Sequence, residues 1–144
     1  MNILRQNSDY ALRAMVNLAE RYDSEVISTR QLSKDEDIAY PFAAKILQKL
    51  AAAGLVTSTM GPHGGFALSR RPQDISLLDV VGAVQGEVTV NTCFMTGHTC
   101  PRQPKCRIKP RIAALQEHIE DYLKQMTLAD LIEKKEETST AGKG

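Results

Sequence analysis

Every cysteine of the chain lies in one short stretch, CFMTGHTCPRQPKC at positions 93–106, with six residues between Cys93 and Cys100 and five between Cys100 and Cys106. A lone cysteine is usually a small buried hydrophobe. This loop also holds Gly97, Pro101 and Pro104, and Arg102, Lys105 and Arg107 flank its thiols, which does not look like core. Nearby cations favour thiolate, the form that binds metal. Zinc prefers pairs about two to four residues apart, and no such pair occurs here, although His98 could act as a fourth ligand from inside the loop. Iron–sulfur clusters are held by thiolates and accept a nitrogen or oxygen ligand where a cysteine is missing. The spacing sits better with a cluster than with zinc, and a metal-free cysteine redox switch stays open. An odd count of three thiols argues against a disulfide framework.

Two further groups of residues suit a polyanion. In YPFAAKILQKLAAAG, Lys45, Gln48 and Lys49 fall away from the Phe42–Ile46–Leu50 face. Lysines neutralise phosphates and glutamine can pair with adenine, while Tyr40 and Pro41 stand at the helix start. The plain alternative is a solvated helix face. The second group is GPHGG, whose glycines permit a sharp turn and close backbone approach. It lacks the Lys–Ser/Thr signature of a phosphate-binding P-loop. It reads as the tip of a hairpin, with His63 and Gly64 reaching towards a minor groove and Arg70 and Arg71 supplying charge at the hairpin's base. An ordinary hairpin turn is the alternative.

The elements that must position these groups follow from periodicity. Residues 7–22 read as a helix capped by Asn7 or Ser8, with Tyr10, Ala14, Met15, Leu18 and Tyr22 on one face. VIST at 26–29 is a short extended piece. Ser28 or Thr29 caps a second helix anchored by Leu32, and Ser28, Thr29 and Arg30 join the candidate DNA contacts. Pro41 suits the first turn of a third helix that buries Phe42, Ile46, Leu47 and Leu50 and stops at Gly54. Two extended runs, LVTST (55–59) and FALS (66–69), make the hairpin. Ser76 caps a fourth helix ending near Gly86. Beyond the cysteines, apolar residues at 108, 112, 115, 119, 122 and 126 alternate by four and three, the seam spacing of a coiled coil. LADLI at 128–132 adds a last short turn. Three helices and a Gly-tipped hairpin are the order of a winged helix-turn-helix. No internal repeat is present.

Composition sets the bounds. At 144 residues and 42% hydrophobic, the chain fits one compact domain with an appendage. No apolar run reaches about eighteen residues, so no membrane span is expected. The start carries Asp9 and Glu20 and no continuous apolar stretch, unlike a signal peptide. A cytoplasmic protein with reduced thiols is therefore expected. Net charge is +1, so its distribution matters more than its sum. No Ser–His–acid order, paired carboxylates or nucleotide loop stands out, and His63, His98 and His118 are scattered, so an enzyme is disfavoured.

Taken together, DYALRAMVNLA, KILQKLAAAGLVTSTMGPHGGFALSRRPQDISLLDVVGAVQG, the three cysteines and TLADLI resemble the Rrf-type family of bacterial winged-helix regulators, IscR- and NsrR-like, over about residues 1–132. The resemblance implies a mainly α fold with a small β-hairpin, a winged helix-turn-helix plus a long C-terminal dimerisation helix. It divides the chain into a DNA-binding domain at 1–86, a cluster-binding loop at 87–107 and a dimerisation helix at 108–132, while the tail at 133–144, polar and rich in small residues, is expected to be disordered. The resemblance implies a homodimeric DNA-binding repressor or activator, repressor favoured, on a palindromic operator of double-stranded DNA. Its cofactor would be an iron–sulfur cluster, [4Fe-4S] favoured over [2Fe-2S], on Cys93, Cys100 and Cys106. IscR-like members take the fourth ligand from a histidine three residues past the last cysteine; here Lys109 stands there. NsrR-like members use an aspartate early in the first helix of the other subunit, which matches Asp9. A branch using a glutamate and a histidine from that helix finds neither in residues 1–19. His98 and Ser8 are the fallbacks, and an acid in the first turn also simply suits the helix dipole. The gap after Cys93 is one residue longer than in IscR-like members. DNA affinity is expected to follow the cluster's response to nitric oxide, redox state or iron supply. A zinc- or thiol-dependent regulator without a cluster is the alternative.

Overall fold

In the computed structural model, which describes residues 3–95, 97, 101 and 105–133, the chain runs α1 (Gln6–Glu20), α2 (Thr29–Glu36), α3 (Tyr40–Ala52), β1 (Val56–Thr59), β2 (Gly65–Leu68), α4 (Leu77–Gln85), α5 (Lys109–Gln125) and α6 (Leu128–Glu133). Single 3-10 turns occupy Pro72–Asp74 and Thr92–Phe94. This is the winged helix-turn-helix: mainly α, with one two-stranded antiparallel hairpin. Of the tail expected to be disordered from 133 to 144, Glu133 ends α6 instead, and 134–144 lie outside the described residues, as do His98 and Cys100.

Local chemistry sets most helix ends. Ser28 Oγ accepts the Gln31 N–H at 3.1 Å at the start of α2, and Asp37 ends that helix with φ at +54°. Ser76 and Asp79 form a reciprocal capping box at α4, each backbone N–H bonded to the other's side chain at 3.0 Å. Caps of this kind stabilise by about 1 kcal/mol each. After α3, Gly54 takes φ +78°, the Leu55 N–H reaches the Leu50 carbonyl, and the Gly54 N–H reaches that of Ala51. That pair of bonds satisfies carbonyls the helix would otherwise leave open, and it brings buried Leu55 back onto buried Leu50.

Three sequence expectations are corrected. Neither Asn7 nor Ser8 caps α1. The N-cap is Arg5, with no side-chain bond of its own, and Ser8 lies inside the first turn, fully buried. A residue far along the chain does that work: Gln85 Oε1 accepts the Ser8 hydroxyl at 2.6 Å and the Arg5 N–H at 3.0 Å. α1 also stops at Glu20, which leaves Tyr22 beyond it and exposed. Phe42 is not core; it is 56% exposed, and Ala43 takes the inward place beside Ile46, Leu47 and Leu50.

The hairpin pairs Val56 with Leu68 through Thr59 with Gly65. The short extended piece before α2 docks on it, because Ile27 and Phe66 exchange N–H···O bonds of 2.9 and 2.8 Å. Two glycines allow these approaches. A Cβ on Gly65 would sit 2.4 Å from the Ile27 carbonyl oxygen, and one on Gly64 would sit 2.0 Å from that of Thr59.

Met15, Leu32, Leu47, Leu50, Ile75, Val80 and Val81 form the fully buried centre. Leu123 of α5 and Leu128 of α6 belong to the same cluster, at 6% and 0% exposure. Backbone bonds lock them there: Leu77 N–H to Met126 O at 2.9 Å and Leu128 N–H to Ile75 O at 3.0 Å. The last described helices thus return to the first.

Candidate nucleic-acid interface and cysteine loop

α3 buries positions 43, 46, 47 and 50. At about 100° per residue, the opposite side must carry Pro41, Lys45, Gln48 and Ala52. Tyr40, Pro41, Lys45, Gln48 and Lys49 are all exposed. Beside them the start of α2 presents Ser28 and Arg30 exposed and Thr29 half-buried. The Arg30 guanidinium lies 5.4 Å from the centroid of the Tyr40 ring. Such a cation–π contact contributes about 0.5–1 kcal/mol at an exposed site and holds the charge at the mouth of α3.

Between α2, α3 and the hairpin lies an open groove of about 780 Å³, lined by Ser28, Thr29, Arg30, Tyr40, Gln48 and Gly64 together with hairpin residues from Ser58 to Pro62. Six of the residues singled out from sequence therefore meet in one concavity. Lys45 and Lys49 stand outside it on the flank of α3, His63 is exposed at the hairpin tip, and Arg70 is exposed at its base. Among the described residues Arg70 has no ion-pair partner. Arg71 is paired with Asp74 at 2.9 Å, and that hydrogen bond holds its guanidinium still more firmly protonated than usual. Sequence reasoning missed Met60, which is 90% exposed next to the glycine turn, and it placed Phe42 on the wrong side.

A polar cluster behind this face ties α1 to α2. Asn17, 4% exposed, donates from Nδ2 to Glu36 Oε2 at 2.8 Å and to Asp35 Oδ2 at 3.3 Å. Hydrogen bonds from Gln31 and then Asn17 hold the Asp35 carboxyl below its usual range, with Arg21 adding to the effect.

The cysteine loop leaves α4 at Gly86. Its first stretch is pinned by Gln116 of α5, a nearly buried polar side chain whose Nε2 donates to the Val88 carbonyl and whose Oε1 accepts the Val90 N–H at 2.8 Å. Cys93 and Cys106 are half-buried free thiols. Asp9 is exposed on the first turn of α1 and pairs with Arg13 at 3.0 Å. An exposed pair of this kind contributes roughly 0–1 kcal/mol, so Asp9 could leave it at little cost. Ser8 is spoken for by Gln85. The same Gln85 joins the start of α1 to the end of α4, so the element carrying Asp9 and the root of the cysteine loop are tied at one place. Among the described residues, no three His, Cys, Asp or Glu side chains gather as a metal-binding group. The donor set available, half-buried thiols and a loosely held carboxylate, fits thiolate-held iron chemically.

α5 has two faces. Gln116 and Leu123 turn inward, while Ile108, Leu115 and Tyr122 are 62%, 47% and 61% exposed. Ile112, Ile119 and Met126, which alternate with them along the seam, are half-buried against the chain itself. No described helix is long and apolar enough to cross a membrane.

Residues 4–134 match the family model of Rrf2, described as an iron-dependent transcriptional regulator. The HTH-type transcriptional regulator NsrR of Halalkalibacterium halodurans is 30% identical over 138 residues, covering 93% of this chain and 92% of its own. Among solved structures, IscR of T. potens superposes with a TM-score of 0.74 at 25% identity over 93% of this chain and 88% of that one. CymR, the global cysteine regulator of B. subtilis, superposes with a TM-score of 0.77 at 21% identity, covering 91% of this chain and 96% of that one, a likeness of fold.

Proposed function

The chain belongs to the Rrf2 family of transcriptional regulators, and from that premise we propose that it is a homodimeric DNA-binding repressor whose affinity for a palindromic operator is set by an iron–sulfur cluster on its cysteine loop. The observation that carries the DNA reading is the single groove shared by α2, α3 and the hairpin. α3 would enter the major groove with Tyr40, Pro41, Lys45, Gln48 and Lys49, and the hairpin would follow the neighbouring minor groove with His63 and Gly64. Ser28, Thr29, Arg30 and Arg70 would hold phosphates.

Dimerisation through α5 is supported by its open face of Ile108, Leu115 and Tyr122, a repeat of seven that a second copy's identical face would cover. Two copies so joined would present two α3 helices to two half-sites.

Cys93, Cys100 and Cys106, with Asp9 of the partner subunit, would hold the cluster, which when bound supplies iron open to ligand exchange and electron transfer. The chain's own part is mechanical. Gln116 fixes the loop's root to α5, Gln85 fixes the start of α1 to α4, and Leu123 and Leu128 fix the end of α5 to the core that seats α3. A loop held in one arrangement would therefore bias the spacing of the recognition helices, as differential affinity of two states requires. A zinc- or thiol-dependent regulator is the competing reading.

The test is to purify the full chain without oxygen, measure iron, sulfide, zinc and the visible spectrum, and then compare DNA affinity at fixed salt with the metal present and removed. Iron with matching sulfide and a changed affinity are expected. Zinc alone, or equal affinities, would refute control by a cluster.

A further inference from the structure

Phe42 is a large apolar side chain, 56% exposed, in the first turn of α3. Core packing does not explain it, because Ala43 fills the inward place at 1% exposure. Resting on the reading of α3 as the helix that enters the major groove, we propose that Phe42 is a specificity-determining residue that reads the C5-methyl group of a thymine.

Three observations lead there. First, Phe42 shares its flank of the helix with cations. Lys49 lies seven residues on, about 20° away around the axis, and Lys45 about 60° away. Both lysines are exposed, so the strip combines phosphate contacts with one ring at its N-terminal end. That end is where such helices meet base edges. Second, the other ring of this turn is already engaged, since Arg30 covers Tyr40 at 5.4 Å. Third, a phenyl ring neither donates nor accepts hydrogen bonds, so it cannot read the polar edges open to Gln48. The thymine methyl is the apolar group displayed on the major-groove edge of an unmodified duplex, and phenylalanine is among the side chains that contact it. Gln48 and Phe42 are six residues apart, roughly 9 Å along the helix. They also lie about 120° apart around its axis, so the two side chains address different base pairs.

Deoxyuridine differs from thymidine only by that methyl group. Duplexes would be selected from a random pool with the full chain. Each half-site thymine of the selected duplex would then be replaced singly by deoxyuridine, and affinity measured by fluorescence anisotropy for the wild type, Phe42→Ala and Phe42→Leu. Losing one buried methyl contact should weaken wild-type binding about four-fold at one or two positions per half-site. Phe42→Ala should bind thymine and uracil duplexes alike at those positions, while Phe42→Leu keeps part of the difference. Should Phe42→Ala bind too weakly to be scanned, the wild-type and Phe42→Leu scans decide the matter. A selected half-site without thymine, a flat wild-type scan, or equal sensitivity in all three proteins would overturn the inference and leave DNA binding intact. A pool that yields no enriched duplex would instead defeat the DNA reading on which it rests.

Discussion

Two helices of this molecule share a design and differ in what they leave open. α3 and α5 each press one side into the common core, α3 through Leu47 and Leu50 and α5 through Leu123. The exposed sides of α3 carry Lys45, Gln48 and Lys49 with two rings, Tyr40 and Phe42, in the first turn. The outer side of α5 carries Ile108, Leu115 and Tyr122 at intervals of seven. Lysines on an exposed flank suit a polyanion, because they release its counterions on binding. An apolar stripe on the heptad suits another helix, because only burial lowers its free energy. Amphipathicity tells which side of each helix faces its own core; the chemistry of the other side distinguishes the partners.

The contrast can be tested from the inside outwards. Leu128→Ala removes a fully buried side chain that helps hold the end of α5 against α1, and should cost about 2–5 kcal/mol in urea unfolding. A loss below about 1 kcal/mol would mean that α5 and α6 are not part of the core. Leu115→Asp combined with Tyr122→Asp alters only the open face of α5. Monomer stability should hardly change by circular dichroism. The dimer should weaken on the order of a hundred-fold or more, since apolar contacts worth about 3 kcal/mol are lost. Unchanged association in sedimentation would remove α5 as the interface.

On the other helix, Lys45→Ala and Lys49→Ala should each lower the slope of log affinity against log salt by about one per chain, with little preference among sequences. A constant slope would place the phosphates elsewhere. The smallest effect belongs to the cluster behind α2. Asp35 titrates below its usual range in the folded chain, so its contribution is present above about pH 4 and is lost as pH falls through its lowered value. Thermal melts of the wild type and Asp35→Asn should therefore differ at pH 7 and draw together as pH falls below about 4. A gap that widens on acidification would contradict that sign.

Much of this was legible in the chain. Ser28, Ser76 and Gly54 announce helix ends because their chemistry is local, and the glycines of the hairpin announce a turn for the same reason. The heptad count picked out Ile108, Leu115 and Tyr122, the exposed apolar stripe of α5, from spacing alone. What stayed hidden depends on residues distant in sequence. Ser8 looks like a cap until Gln85 arrives to bury it. Gln116 looks like a surface residue of the seam helix until the Val88–Val90 backbone needs its amide. Phe42 looks like core because it is apolar, yet it lies about 90° from the middle of the inward face. At the cysteine loop, residue types and spacing name candidate donors, Cys93 and Cys106 among the described ones. A ligand set is fixed by distances between residues far apart in the chain, Asp9 and the cysteines among them, and no local signal carries those.

The most direct measurement is sedimentation velocity of the full chain, alone and with a selected palindromic duplex. The chain should sediment as a dimer and place two copies on each duplex. The Leu115→Asp, Tyr122→Asp variant should sediment as a monomer and lose the palindrome's advantage over a single half-site. A wild type that sediments as a monomer and binds one copy per duplex would contradict the division of labour between α3 and α5.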